Sequence, residues 1–540
     1  MKHNFKSIIL LITWGCANVA MPTGGPRDKT PPELLISNPA NNQLNFTGNT
    51  IELDFNEDIK LKDPKEEILI VPSIGKKTLF SVKKTNLMIK PELEWQPNTT
   101  YSVNFREGVQ DLSEGNPAEN LRLAFSTGSV IDSLTINGRV KDSFSEKVPE
   151  KITIALYQTD TFDIFKHTPT YFTKSTKEGL FSIPNLKATD YFIYAFDDKN
   201  KNLKVDSRTE KFGFLTKVIA PDTSRDSLEI PLSMLDSRRL LLTNIRHSDK
   251  VSRVRFNKQV DSIRVAGVSK KEAIYTYSDD KSELIFYNTF AKTDSIKTHI
   301  IARDSLGQNI DTTFYIRYSE IKALPETFKT KELSANYNVK SKVFRYTLGY
   351  NKPIGVVNRD SIYILYDSIN TKPIDPKNFN IDTLNHQIII ESIINEITKP
   401  EKDKTENPKL ILGKGAIISI ENDSIKHIEK EIVIQTEEDL GAIIVQAQTA
   451  AKNYIIQVIT SDNKIVQNIS NIKEYTFRYL QPNEYKIRVI IDENNNGKWD
   501  VGNFYKKTES EKIIFYKSED GKYSTQLRAY FEIGPLLIKF

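Results

Sequence analysis

The sequence predicts an all-β chain built as a string of antiparallel β-sandwiches. Three observations carry that expectation. Apolar and polar residues alternate with period two: Ile51, Leu53 and Phe55 against Glu52 and Asp54, then Tyr101, Val103 and Phe105 against Ser102 and Asn104. That is the pattern of strands with one face in a core and one in water. Turn-forming clusters such as Pro97-Asn98 and Glu114-Gly115-Asn116-Pro117 separate the runs. No long stretch of 3.6-residue period competes with them, which leaves room for short helical turns at most.

The chain has 540 residues, enough for roughly three to five domains at about 150 residues each. It is 39% hydrophobic and 27% charged, a globular composition. Its 75 Lys and Arg exceed its 70 Asp and Glu by 75 − 70 = 5 charges. So thin an excess does not suit phosphate-backbone binding, and nucleic acid is set aside as a partner. A single cysteine excludes an intrachain disulfide framework and any Cys-based zinc knuckle. The histidines His3, His167, His247, His299, His386 and His427 lie far apart, with no pair at metal-ligand spacing.

The N-terminus carries Lys2 and Lys6, then Ile8-Ile9-Leu10-Leu11-Ile12, then Gly15 and the lone Cys16. A short basic region followed by a brief apolar one reads as a secretory signal, too short to span a bilayer. A small residue directly before a cysteine resembles the lipobox of bacterial lipoproteins, with Thr13 and Trp14 departing from its usual residues. That resemblance implies a signal peptide over 1–15 and acylation of Cys16. The acyl chains would contribute about 0.8 kcal/mol per buried methylene. No later stretch offers 18 consecutive apolar residues, so lipid is the one membrane attachment expected. Residues 16–32, with Pro22, Gly24, Gly25, Pro26, Pro31 and Pro32, read as a tether.

Five modules are expected beyond the tether. In 33–129, Asn38-Pro39-Ala40-Asn41-Asn42 precedes a strand ending Phe55-Asn56-Glu57; Asn98-Thr99-Thr100-Tyr101 and Phe125-Ser126-Thr127-Gly128 follow. This segment resembles the bacterial Ig-like domain. Its Phe-Asn-Glu motif recurs as Phe256-Asn257-Lys258 and Tyr350-Asn351-Lys352, marking Ig-like units at 237–319 and 320–436. In each copy the aromatic is expected to point inward. The charged, Pro-bounded run Lys399–Pro408 reads as a polar loop insertion in the second of these units. A different repeat occupies 130–236 and 437–540: an apolar strand (Tyr191 to Phe196, and Tyr485 to Ile491) feeds an Asp/Asn-rich loop. With Gly138-Arg139-Val140 and Glu178-Gly179-Leu180-Phe181 in the earlier copy, it resembles the transthyretin-like, or carboxypeptidase-regulatory-like, sandwich. Together these features resemble a family of Ig-like-domain outer-membrane lipoproteins of the Bacteroidota. That resemblance implies an envelope role and brings no catalytic residue.

The two Asp/Asn loops carry the best chemical signal. Calcium takes six to eight oxygens, which the EF-hand loop supplies from positions 1, 3, 5, 7, 9 and 12 with Gly at 6. Asp492, Asn494, Asn496 and Asp500 fall at 1, 3, 5 and 9, Gly497 falls at 6, and the Lys498 carbonyl falls at 7. The earlier loop matches with Asp198, Asn200, Asn202 and Asp206 but places Leu203 at 6, where a positive φ disfavours a bulky residue. Position 12 is Asn503 in one and Thr209 in the other, not the expected Glu. Weak extracellular-type calcium sites or plain Asx turns both answer to this pattern. Asp492 is expected to be removable at little cost when the cation is absent.

No H-E-x-x-H, G-x-S-x-G, Walker or Rossmann motif occurs, so no enzyme is expected. Trp95 and Trp499 suit core or loop-anchoring roles better than glycan stacking. The function expected is a non-enzymatic, outer-membrane-anchored scaffold or accessory subunit of an envelope protein assembly. The alternative is a glycan- or ligand-binding surface lipoprotein.

Overall fold

The computed structural model describes residues 27–145, 149–159, 161–220, 223–268, 274–288, 295–324, 326–366, 370–394 and 407–540. Cys16, the signal segment, the first part of the tether and most of the Lys399–Pro408 run lie outside them. The chain is nearly all β, with 48% strand and 3% helix, in many antiparallel sheets that fit a string of β-sandwiches. Among the described residues no helix is long and apolar enough to cross a membrane.

Three sandwiches share one strand order. In the first, Leu34–Asn38, Ile51–Phe55, Asn86–Lys90 and Leu79–Lys83 lie side by side in that order, facing a sheet of Leu69–Val71, Thr100–Asn104 and Arg122–Ser126. In the next, Leu242–His247, Val251–Phe256, Glu283–Tyr287 and Ile274–Tyr277 face Ser262–Ala266, Ile296–Arg303 and Asn309–Ile316. In the last, Thr330–Asn338, Val343–Tyr350, Gln387–Ile393 and Phe379–Asp382 face a sheet containing Ile362–Leu365, Lys409–Leu412 and Ile428–Glu431.

The repeated aromatic-Asn motif has a common physical use. Phe55, Phe256 and Tyr350 are all buried. The following asparagine clamps the backbone where the chain enters the first strand. Asn56 Oδ1 accepts from Glu33 N at 2.8 Å and its own N–H donates to the Glu33 carbonyl at 3.1 Å. Asn257 makes the same pair with Leu241 and Asn351 with Lys329. The third residue differs. Lys258 meets the buried Asp304 at 2.5 Å, and Lys352 meets Glu421 at 2.6 Å and Asp423 at 2.9 Å. Glu57 has no such complement among the described residues; burial and the charges of Asp111 and Asp28 raise its pKa.

The other two sandwiches share a second topology. Leu134–Asp142 pairs antiparallel with Leu180–Leu186 and parallel with Arg225–Leu232. Gly441–Gln448 pairs antiparallel with Glu474–Leu480 and parallel with Glu532–Lys539. The companion sheets are Tyr171–Lys174, Thr153–Tyr157, Phe192–Phe196 and Phe212–Phe214 in one, and Ile465–Ser470, Tyr454–Thr460, Asn483–Ile491 and Ile513–Phe515 in the other.

One sequence expectation is corrected here. Ser102, assigned to a wet face, is buried, as is Thr100. The strand Thr100–Asn104 is central in its sheet, and its outer face is covered by the second sandwich, where Thr100 Oγ1 accepts from Asp132 N at 2.9 Å.

The string also folds back on itself. Phe504 and Val501 of the fifth sandwich pack on the outer face of the second, against a cluster that holds Tyr157, Tyr194, Phe212 and Phe214. In return Phe144 packs edge-on to Trp499 at 4.3 Å, in a cluster with Ile455, Ile490 and Ile513. Asn503 Nδ2 donates to the Leu306 carbonyl at 2.6 Å, and Thr216 donates through N and Oγ1 to Glu509 Oε1 at 2.7 and 2.8 Å. Domains so joined should melt together. Phe504→Ala should cost about 2 kcal/mol, since the ring is only half-buried. It should also split a shared calorimetric transition, with the C-terminal unit released first by limited proteolysis. An unchanged single transition would show that the exchange does not couple the two units.

Candidate functional site

The two Asp/Asn loops occupy the same place in the two sandwiches of second topology, each following the strand central to the second sheet. Their geometry matches nearly bond for bond. Asp492 is buried, and its Oδ1 and Oδ2 accept from Asn496 N at 3.0 Å and Gly497 N at 2.9 Å. Asp198 accepts in the same way from Asn202 N at 2.9 Å and Leu203 N at 3.0 Å. Asn494 Oδ1 accepts from Asn496 N, and Asn496 Oδ1 accepts from Lys498 N, both at 3.0 Å. In the earlier loop Asn200 accepts from Asn202 N at 3.1 Å and Asn202 from Lys204 N at 2.7 Å. Each loop is thus a ladder of Asx turns hung from one aspartate, buried at Asp492 and half-buried at Asp198.

A second buried carboxylate closes each ladder, and sequence spacing missed it. Glu511 accepts from Glu493 N and Asp500 N, both at 2.9 Å. Glu210 accepts from Lys199 N at 3.1 Å and Asp206 N at 2.8 Å. Asn503 is drawn away to Leu306, and the glutamates arrive from farther along, two residues before the strands Phe212–Phe214 and Ile513–Phe515. The signal was present: Glu210-Lys211-Phe212 and Glu511-Lys512-Ile513 are a shared Glu-Lys-apolar triplet. Burial raises the pKa of both glutamates, and nearby carboxylates add to it: Asp198 at Glu210, Asp500 and Asp492 at Glu511.

The amide groups of Asn494 and Asn496 both donate to Asp500 Oδ2, the latter at 2.7 Å. The donor chemistry, carboxylate and carboxamide oxygen throughout, suits a hard cation such as calcium. The arrangement present is the closed, hydrogen-bonded one. Among the described residues no three His, Cys, Asp or Glu side chains are grouped closely enough to hold a metal ion. Loss of Asp492 would take the acceptor from Gly497 N, while Asn496 N keeps Asn494 Oδ1; both donors sit on exposed residues that water can reach.

The tryptophans are internal anchors. Trp95 Nε1 donates to the Gly48 carbonyl, and its ring lies edge-on to Phe46, Tyr101 and Phe125. Trp499 Nε1 donates to the Glu511 carbonyl at 2.8 Å, which ties the loop to the strand carrying its closing glutamate.

Comparison with solved structures gives matches of low overall similarity. The major pilin subunit BcpA of Bacillus cereus is 10% identical, with 75% of this chain and 98% of that one covered, at a TM-score of 0.14. Dimeric latent PorU from Porphyromonas gingivalis is 9% identical over 68% of this chain and 46% of that one, at 0.20. The surface layer protein SbsC, domains 1–6, is 8% identical over 85% and 65%, at 0.13. Among curated proteins none matches. Residues 28–127 match the family model described as a bacterial Ig-like domain, and the first sandwich of this chain is a domain of that kind.

Proposed function

We propose that this protein is a lipid-anchored, non-enzymatic scaffold of the outer membrane, an accessory subunit around which other envelope proteins assemble. The observation that carries the reading is the folding back of the sandwiches. Reciprocal packing of Phe144 and Phe504 turns a flexible string into a body with fixed faces, which is what a platform for partners requires. The lipobox-like Gly15-Cys16 supplies the anchor, and the tether to residue 32 supplies reach. The Trp95 ring packs among Phe46, Tyr101 and Phe125 and the Trp499 ring against Phe144, which counts against both as platforms for the glycan-binding alternative. Cys16→Ser should abolish acylation and move the protein from the membrane to the soluble fraction. A serine variant that still sediments with outer membranes after a high-salt wash would overturn the anchor. Cross-linking and co-purification of the acylated protein should recover envelope proteins in fixed ratio; recovery of the chain alone would overturn the scaffold.

Calcium at the two loops belongs to the same reading, as a stiffener of the platform. Binding would draw Asp492, Asp500 and Glu511 toward one ion and relieve their mutual repulsion. Stability should then rise with calcium by about 2.7 kcal/mol at a hundredfold excess over Kd. The isosteric variant Asp500→Asn should lose most of that rise while melting like the wild type in chelator. Equal melting of the wild type in millimolar calcium and in chelator would leave both loops as turns.

A further inference from the structure

The seam between the first and second sandwiches holds a cavity of about 270 Å³. Its apolar wall is drawn from both units, with Ile68, Ile74 and Phe80 from the first and Phe172 and Leu203 from the second. Its rim is cationic. Lys65, Lys76, Lys174 and Lys201 stand there against only Glu66 and Asp198. Lys174 is engaged with Glu66 at 2.6 Å, and Lys201 lies 3.7 Å from the same carboxylate. The Lys65 and Lys76 side chains are exposed and have no ion-pair partner among the described residues. A volume near nine waters of about 30 Å³ each admits a ligand of roughly ten non-hydrogen atoms.

Leu203 is the second, independent observation. Its φ is +60°, a region that costs a residue with a β-carbon about 1 kcal/mol or more. The loop does not require leucine there. At the matching place stands Gly497, with φ +77° and the same backbone bond to the leading aspartate. What leucine adds is a side chain, and that side chain lines the cavity. At this position of the duplicated loop the chain accepts backbone strain and gains an apolar residue on the cavity wall.

We propose that this cavity binds a small amphipathic anion: an apolar body of about eight carbons against Phe80, Phe172 and Leu203, and a single carboxylate or phosphate head drawn to Lys65 and Lys76. Such a ligand touches both sandwiches and so fixes the angle between them. The inference is independent of the scaffold reading.

Calorimetric titration of the full chain, carrying Cys16→Ser so that no acyl group competes, tests it with octanoate, octyl phosphate and octylamine below their micellar range. At least one of the two anions should bind one to one with a Kd below about 1 mM, and the amine at least about tenfold more weakly. The better of the two anions identifies the head group. Lys65→Glu with Lys76→Glu should weaken binding about tenfold or more. Leu203→Gly should weaken it about fivefold while leaving the melting temperature equal or higher, since glycine relieves the backbone. Failure of both anions to bind below about 10 mM, equal binding of the amine, or unchanged affinity in Leu203→Gly would each overturn the proposal.

Discussion

The arrangement of this protein depends on an exchange of aromatic side chains between its second and fifth sandwiches. Each of these units has a sheet that is apolar on both faces. Thr153–Tyr157 is buried at every position, and Tyr454–Thr460 at all but its last. One face makes the unit's own core; the other, left in water, would be a large exposed apolar patch. Phe504 covers that face in the second unit and Phe144 covers it in the fifth. The contact constrains everything between, because residues 237–436 must leave the second unit and return the chain to its side. Leu306, at a turn of the third sandwich, is gathered into the same cluster.

Buried carboxylates are the second recurring device. Asp111 accepts the backbone N–H groups of Glu114, Gly115 and Asn116. Asp304 does the same for Leu306 and Gln308, and the buried Asp492 and the half-buried Asp198 hang their loops in the same way. A chain of 540 residues with only 22 glycines has to turn many times without the residue that turns most freely. An aspartate at the head of a turn supplies acceptors for donors that no strand will satisfy. Several such hydrogen bonds offset the desolvation of the charge. At Asp111 they win, holding its carboxyl well below the usual range despite complete burial. At Glu210 and Glu511 two bonds each do not offset burial and neighbouring negative charge.

Much of this was legible in the sequence, and what was not has a common cause. Alternation located the strands, and the aromatic-Asn motif marked positions whose side chains prove buried and whose backbone clamps coincide in all three sandwiches. Both signals are local, carried by residues a few positions apart. The burial of Ser102, the outer cover of the second sheet and the closing glutamates depend on partners far away in the chain. Glu511 lies nineteen residues beyond Asp492, whereas Glu210 lies twelve beyond Asp198. An inserted hairpin in the later copy hides the correspondence from fixed spacing. That hairpin also carries Phe504, so the insertion that obscured the site is the one that joins the two units.

The parallel pairing in the second and fifth sandwiches has a mechanical consequence. In each, the chain enters along one strand and leaves along its parallel neighbour, Leu134–Asp142 beside Arg225–Leu232 and Gly441–Gln448 beside Glu532–Lys539. Tension applied across such a unit through its two ends pulls the paired strands past each other along their length. The interstrand bonds are then loaded together in shear, where an antiparallel terminal hairpin would open them one at a time like a zipper. A load entering at the N-terminal side and borne at the far end meets this geometry twice. In both units the strands that would carry such a pull are the ones paired in parallel.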